Sequence, residues 1–248
     1  MMTMESEALV FARTVGFVFK APGISNKAVS PMVRVGLASI LTLLVAPSVP
    51  SAAAHSTITA AFAFLVVGEL AVGATIGMAA AILYNGVDSG GNALDDFVGI
   101  KGSNPTAGPM AGVGFGVVWS YVFTNAFFML GGYLLPLQVF ADGLREIPPG
   151  SLFEMHQWKA FLFAFPSLTL RAGLMIAGPA YVIGLVAQFA MGGISRITPK
   201  FNTQNISFGI TFAVVLLMTI VMLPSFAYLA AHPWIPSPLP GVAPAKTH

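Results

Sequence analysis

Residues 85–116 read NGVDSGGNALDDFVGIKGSNPTAGPMAGVGFG and separate two long apolar runs. The stretch holds Asp88, Asp95 and Asp96, three of the chain's nine acids, and one base, Lys101. Its glycines, with Asn92, Asn104, Pro105 and Pro109, oppose regular structure. Asn85 to Met110 is therefore read as one long polar loop, running into a glycine cluster at Gly112, Gly114 and Gly116. A loop of that length between apolar helices is a candidate functional element.

Outward from this stretch the chain is apolar. Of its 248 residues 56% are hydrophobic and 8% charged, with a mean hydropathy of +0.83. A soluble domain of this composition would expose large apolar patches, so the expected class is an all-α integral membrane protein. With no cysteine, disulfides, thiol nucleophiles and thiolate metal sites are excluded. His55, His156, His232 and His248 are scattered without ligand spacing, so no metal site is expected. The net charge of +2 forms no basic stripe with interleaved aromatics, which argues against nucleic acid.

About six apolar segments are legible. Ala8–Phe19 and Val33–Ala46 are short: the first reaches roughly 18 Å at about 1.5 Å per residue, against a hydrocarbon core of about 30 Å. The connector between them carries Lys20, Lys27 and Arg34, and a cleaved leader is disfavoured because an apolar segment already precedes it. Ile58–Tyr84 is long enough to cross, and its Gly73/Gly77 spacing suits close helix approach. Ala111–Val139 is uncharged, Asp142–Lys159 reads as a polar connector, and Ala160–Met191 is a long span interrupted by Pro166, Arg171 and Pro179. A polar turn leads to Ile206–Ala231, and residues 233–248 form a proline-rich tail. Lys20, Lys27, Arg34, Lys101, Arg196 and Lys200 fall in alternate connectors, against Arg145, Lys159 and Lys246 in the others. The positive-inside rule then places both termini outside, if both short segments cross.

Arg13, Glu69 and Arg171 stand inside apolar runs. Each costs about 2.5–3.5 kcal/mol at a helix centre, so all three are read as buried charges that must pair, or face protein or water. Glu69 is expected to pair with Arg13 or with Arg171. A structural ion pair is the preferred reading over a proton relay, which needs several acids or histidines along a path. Nothing catalytic stands up: the GxGxG at 112–116 follows no strand, and Asp95 and Asp96, as chain neighbours, point apart with no nucleophile near. The alternative function is a small-molecule or ion transporter using Glu69 and Arg171, which should show an internal repeat.

Particular residues carry a family resemblance. From Pro179 to Ser207 the chain reads PAYVIGLVAQFAMGGISRITPKFNTQNIS, with Pro179, Gly192, Ser195, Arg196, Pro199 and Asn202 at fixed spacing. Arg13, Ala21-Pro22, Pro31, Val33-Arg34, Leu37-Ala38 and Pro47 follow an opening pattern, and Glu69, Gly73 and Gly77 a glutamate-and-glycine helix. Together these resemble the FliR/SctT family (YscT/HrcT/SpaR-like), the R/T subunit of the type III secretion export apparatus, over about Arg13 to Ala231. Gly91 and Asp95 resemble the injectisome branch, but Asp96-Phe97-Val98-Gly99 departs from its Gln-Arg-Gly continuation. The reading leans to injectisome over flagellum.

The resemblance implies a non-enzymatic subunit of the bacterial inner membrane, without cofactor, in the portal for unfolded export substrates. It implies a single membrane domain over 1–232, with a P-like part at 8–139 and a Q-like hairpin at 160–231. Implied partners are the P/R-type and Q/S-type subunits, the FlhB/SctU switch subunit and the FlhA/SctV gate protein. It places a plug after the glutamate helix, with Phe97, Val98, Ile100, Pro109, Met110, Gly112 and Phe115 as gate residues. Apolar side chains there can close a pore by excluding water. The hairpin turn, with Arg196, Pro199, Lys200 and Asn202, is implied to meet the switch subunit.

Overall fold

The computed structural model describes residues 4–25, 29–49, 60–100, 114–150, 155–197 and 203–232. The described residues hold α1 (Met4–Lys20), α2 (Pro31–Val45) with a 3-10 turn at Ala46–Ser48, α3 (Ala60–Ala80) and α4 (Ile82–Val98). They continue with α5 (Phe115–Met129), α6 (Leu134–Glu146), α7 (Met155–Ile197) and α8 (Thr203–Ala231). No strand occurs among them, and the all-α membrane class is as expected. Among the described residues three helices are long and apolar enough to cross a bilayer, Phe62–Ala80, Leu162–Ile197 and Ile206–Ala231, or four if α5 and α6 count as one broken span. The 17 residues of α1 and the 15 of α2 stay short of that length.

The chain divides into two compact units. Met1–Ile82 and Gly131–Pro166 belong to the first. There α1 and α3 run parallel and in close contact: a Cβ on Gly73 would overlap the Arg13 carbonyl oxygen, and one on Gly77 would lie 2.6 Å from that of Phe17. The expected Gly73/Gly77 approach is made here, completed by Gly16 from the other side. Phe17 stacks on Phe140 of α6 with ring centroids 4.5 Å apart. Ser30 caps α2, its hydroxyl oxygen accepting from the Val33 N–H at 3.4 Å, with Pro31 in the first turn where its missing N–H costs nothing.

Leu83–Leu130 and Ser167–His232 form the second unit. In it α4 runs beside α7, where a Cβ on Gly86 would lie 2.8 Å from Ala172 Cβ and one on Gly90 3.0 Å from the Gly173 carbonyl oxygen. On its other side α4 meets α5 antiparallel, through Gly91 against Gly116 and the Tyr84 hydroxyl 3.2 Å from Ser120 Oγ. Trp119 of α5 donates its indole N–H to Thr219 of α8 at 3.3 Å and meets the Phe226 ring edge-on. Gly184 of α7 faces Val215 of α8, closing the ring of four helices.

Four expectations change. Asn85–Val98 is helix and not loop: the glycines read as breakers are close-approach positions, each costing about 1 kcal/mol of helix propensity that the backbone contact offsets. Val87, Leu94 and Val98 are buried while Asp88, Ser89 and Asp96 are exposed, an amphipathic pattern of helical period. Asp142–Glu146 belongs to α6 and not to a connector, and the 111–139 run is broken at Gly131, whose φ of +77° suits glycine. Pro166 and Pro179 interrupt nothing, since α7 runs continuously through both.

Candidate functional site

The first unit is centred on a buried charge. Arg13 is 0% and Glu69 1% exposed, and Arg13 Nε donates to Glu69 Oε2. Glu69 Oε1 accepts the Gly150 backbone N–H at 2.8 Å, so both its oxygens are engaged. Arg13 Nη1 donates to the carbonyl oxygens of Ile147 at 2.7 Å and Gly143 at 3.3 Å. Those carbonyls close the C-terminus of α6, where the helix dipole favours a cation. One arginine therefore ties α1 to α3 and α6. Of the two partners expected for Glu69, it takes Arg13.

Arg171 does not behave as expected. It is exposed on α7, and the buried face of that helix is taken by Ala172, Gly173, Ile176, Ala177 and Ala180. A helix apolar on all sides gives no sign of which face packs, and that is why the sequence reading buried this side chain.

The second unit carries a junction that sequence reasoning missed. Asp95 is 2% exposed near the end of α4. Its carboxylate accepts the backbone N–H of Phe115 at 2.5 Å and of Gly116 at 3.2 Å, capping the N-terminus of α5. Its own carbonyl accepts from Gly99 and Ile100, which ends α4 with Gly99 at φ +86°. A Cβ on Gly114 would overlap the Asp95 carboxylate. One residue thus fastens the helix ends on both sides of residues 101–113. The signal was present in the DD pair: at about 100° per residue Asp95 turns inward and Asp96 outward. Asp95→Ala strips the cap and leaves two buried N–H groups unpaired, with an expected loss of about 1–3 kcal/mol. Thermal unfolding in detergent checks this, with Asp96→Ala expected to change little.

Of the expected gate residues, Phe97, Val98 and Phe115 belong to the flanking helices. Phe97 meets the Tyr181 ring edge-on at 5.4 Å and its carbonyl accepts from Gln188 Nε2 at 3.4 Å, while Val98 and Phe115 are buried. Ile100 is half-buried just past the end of α4. Pro109, Met110 and Gly112 lie outside the described residues, as do Pro199, Lys200 and Asn202. Arg196 is exposed in the last turn of α7. Among the described residues no three His, Cys, Asp or Glu side chains converge as a metal ion would need.

The chain resembles several known bacterial proteins. It is 25% identical over 231 residues to the flagellar biosynthetic protein FliR of Pectobacterium carotovorum, covering 90% of this chain and 85% of that one. FliR of Escherichia coli is 24% identical over 226 residues, covering 89% and 85%. The secretion system apparatus protein SsaT of Salmonella typhimurium is 27% identical over 172 residues, covering 68% and 65%. The family described as bacterial export proteins, family 1, matches residues 5–234. That match takes in nearly the whole chain, which therefore belongs to this family, the family of FliR and SctT.

Proposed function

We propose that this chain is a non-enzymatic inner-membrane subunit of a type III protein-export apparatus, one wall of the portal through which unfolded substrates leave the cytoplasm. The observation that carries the reading is the family match over residues 5–234 on an all-helical membrane chain. The main charged cluster supports a structural role, because both oxygens of Glu69 are held by fixed donors, whereas a relay or transport site needs an acid that exchanges partners. The short α1 and α2 suit an assembly in which neighbouring subunits cover helices that are poor spans by themselves. In this reading 8–139 is the P-like part and 160–231 the Q-like hairpin. The P/R-type, Q/S-type, switch and gate subunits are its partners, and Arg196 lies at the contact with the switch subunit.

The finer proposal is an injectisome subunit whose segment from Phe97 to Phe115 plugs the portal. What supports the plug is the Asp95 junction: Gly99 and Ile100 before residues 101–113, and Phe115 and Gly116 after them, are all held by one buried residue. Deleting the gene is expected to abolish secretion of effectors while leaving motility intact. Loss of flagellar filaments would assign the chain to the flagellar arm, and normal secretion with normal motility would overturn the export reading. Removing residues 102–108 is expected to make the resting membrane leaky to ions in cells that assemble the apparatus. Resting conductance equal to wild type would remove the plug.

A further inference from the structure

The outward side of α7 carries a seam. Arg171, Met175, Gly178, Val182, Leu185 and Phe189 follow one another at intervals of four and three residues. That is the 3.5-residue repeat along which one helix receives another. Met175 is 81% exposed, Val182 66%, Leu185 46% and Phe189 74%, and Arg171 is exposed above them. Gly178 supplies a notch, since a Cβ built there meets nothing within 4 Å. On the other side of the same helix, Gly173, Ala177 and Gly184 already use small residues to admit α4 and α8.

From this arrangement we infer that the seam receives an apolar helix of a different polypeptide, which brings an Asp or Glu to Arg171. Where another helix covers this surface, the guanidinium loses water, and a carboxylate on the covering helix offsets that cost. A lipid surface requires neither the 3.5-residue register nor the glycine notch. A second copy docking seam to seam supplies no carboxylate either, since neither α7 nor α8 contains an Asp or Glu. This inference rests on the functional reading above only in expecting that partner among the export subunits.

The test uses the full chain in its own bacterium, with a photo-crosslinking residue at Met175 or at Val182. The expected adduct is with a helix of another export subunit that carries an acid within one turn of the level of Arg171. Arg171→Glu is expected to reduce the co-purified complex about tenfold or more, and replacing that acid by Lys in the partner should restore it. Val182→Trp keeps the charge and adds bulk to an open face, so the chain should accumulate normally yet lose the partner. Adducts with lipid alone, adducts with a second copy, or wild-type complex yield from both variants would each overturn the seam. If the variants assemble normally with export subunits, the functional reading survives and the seam does not. An acid-bearing helix from outside the apparatus would reverse that outcome.

Discussion

Replacing Glu69 with alanine is expected to deplete the chain from the membrane fraction, and Arg13→Met in the same chain is expected to bring most of it back. The single change leaves Arg13, 0% exposed, with no carboxylate, while its Nη2 already has no hydrogen-bond partner. It also strips the Gly150 N–H of its acceptor. Breaking a buried pair on one side costs about 3–5 kcal/mol, against a total stability of about 5–15 kcal/mol for an ordinary domain. Removing both charges and filling the space with methionine, as Arg13→Met with Glu69→Met, is often close to neutral. Recovery should still be incomplete, because the Ile147 and Gly143 carbonyls lose the donor that caps α6. Neutralising Arg171 should rescue nothing. Membrane-fraction abundance and proteolytic half-life in detergent read the series. Equal rescue by Arg171→Met would refute the pairing.

The residues of this pair explain which parts of the molecule could be read from sequence. A lone acid in an apolar run must find a cation, so the need for a partner was legible at Glu69. The choice between Arg13 and Arg171 was not, because it depends on which helices meet. Gly73 and Gly77 were legible as a contact face, since a spacing of four puts both on one side of a helix. Gly86 and Gly90 obey the same rule, with Ala172 and Gly173 as their counterparts, while Gly91 meets Gly116 on the other side of the helix. In a polar stretch, however, glycine counts as a breaker, and so α4 was read as loop. For α7 the apolar surface runs all the way round, and periodicity could not choose the buried side. The DD pair gave away only that Asp95 turns inward once α4 is a helix; its role escaped, because a cap for a helix that begins 20 residues later has no local signature.

Gly73→Ala is expected to destabilise the chain by several kcal/mol, whereas Gly36→Ala is expected to stabilise it slightly. The new methyl at Gly73 would overlap the Arg13 carbonyl oxygen and lie 2.7 Å from Arg13 C and 2.9 Å from Phe17 N. All three are backbone atoms of α1, so no rotamer change relieves the contact and the two helices must separate. Overpacking of this kind costs about 1–3 kcal/mol. The larger part follows from which residue is pushed: moving Arg13 away from α3 stretches its bond to Glu69 inside a dry site, where a weakened charge has no water to fall back on. On α2, by contrast, a Cβ at Gly36 meets nothing within 4 Å, and alanine there gains about 0.5–1 kcal/mol of helix propensity. Opposite signs from the same chemical change, measured as shifts in thermal unfolding in detergent, are the expected result. Because contact and ion pair are one mechanism, Gly73→Ala combined with Glu69→Ala should cost less than the sum of the two. Strict additivity would mean that the glycine and the charge act independently, and that the close approach of α1 to α3 does not serve to hold Arg13 against Glu69.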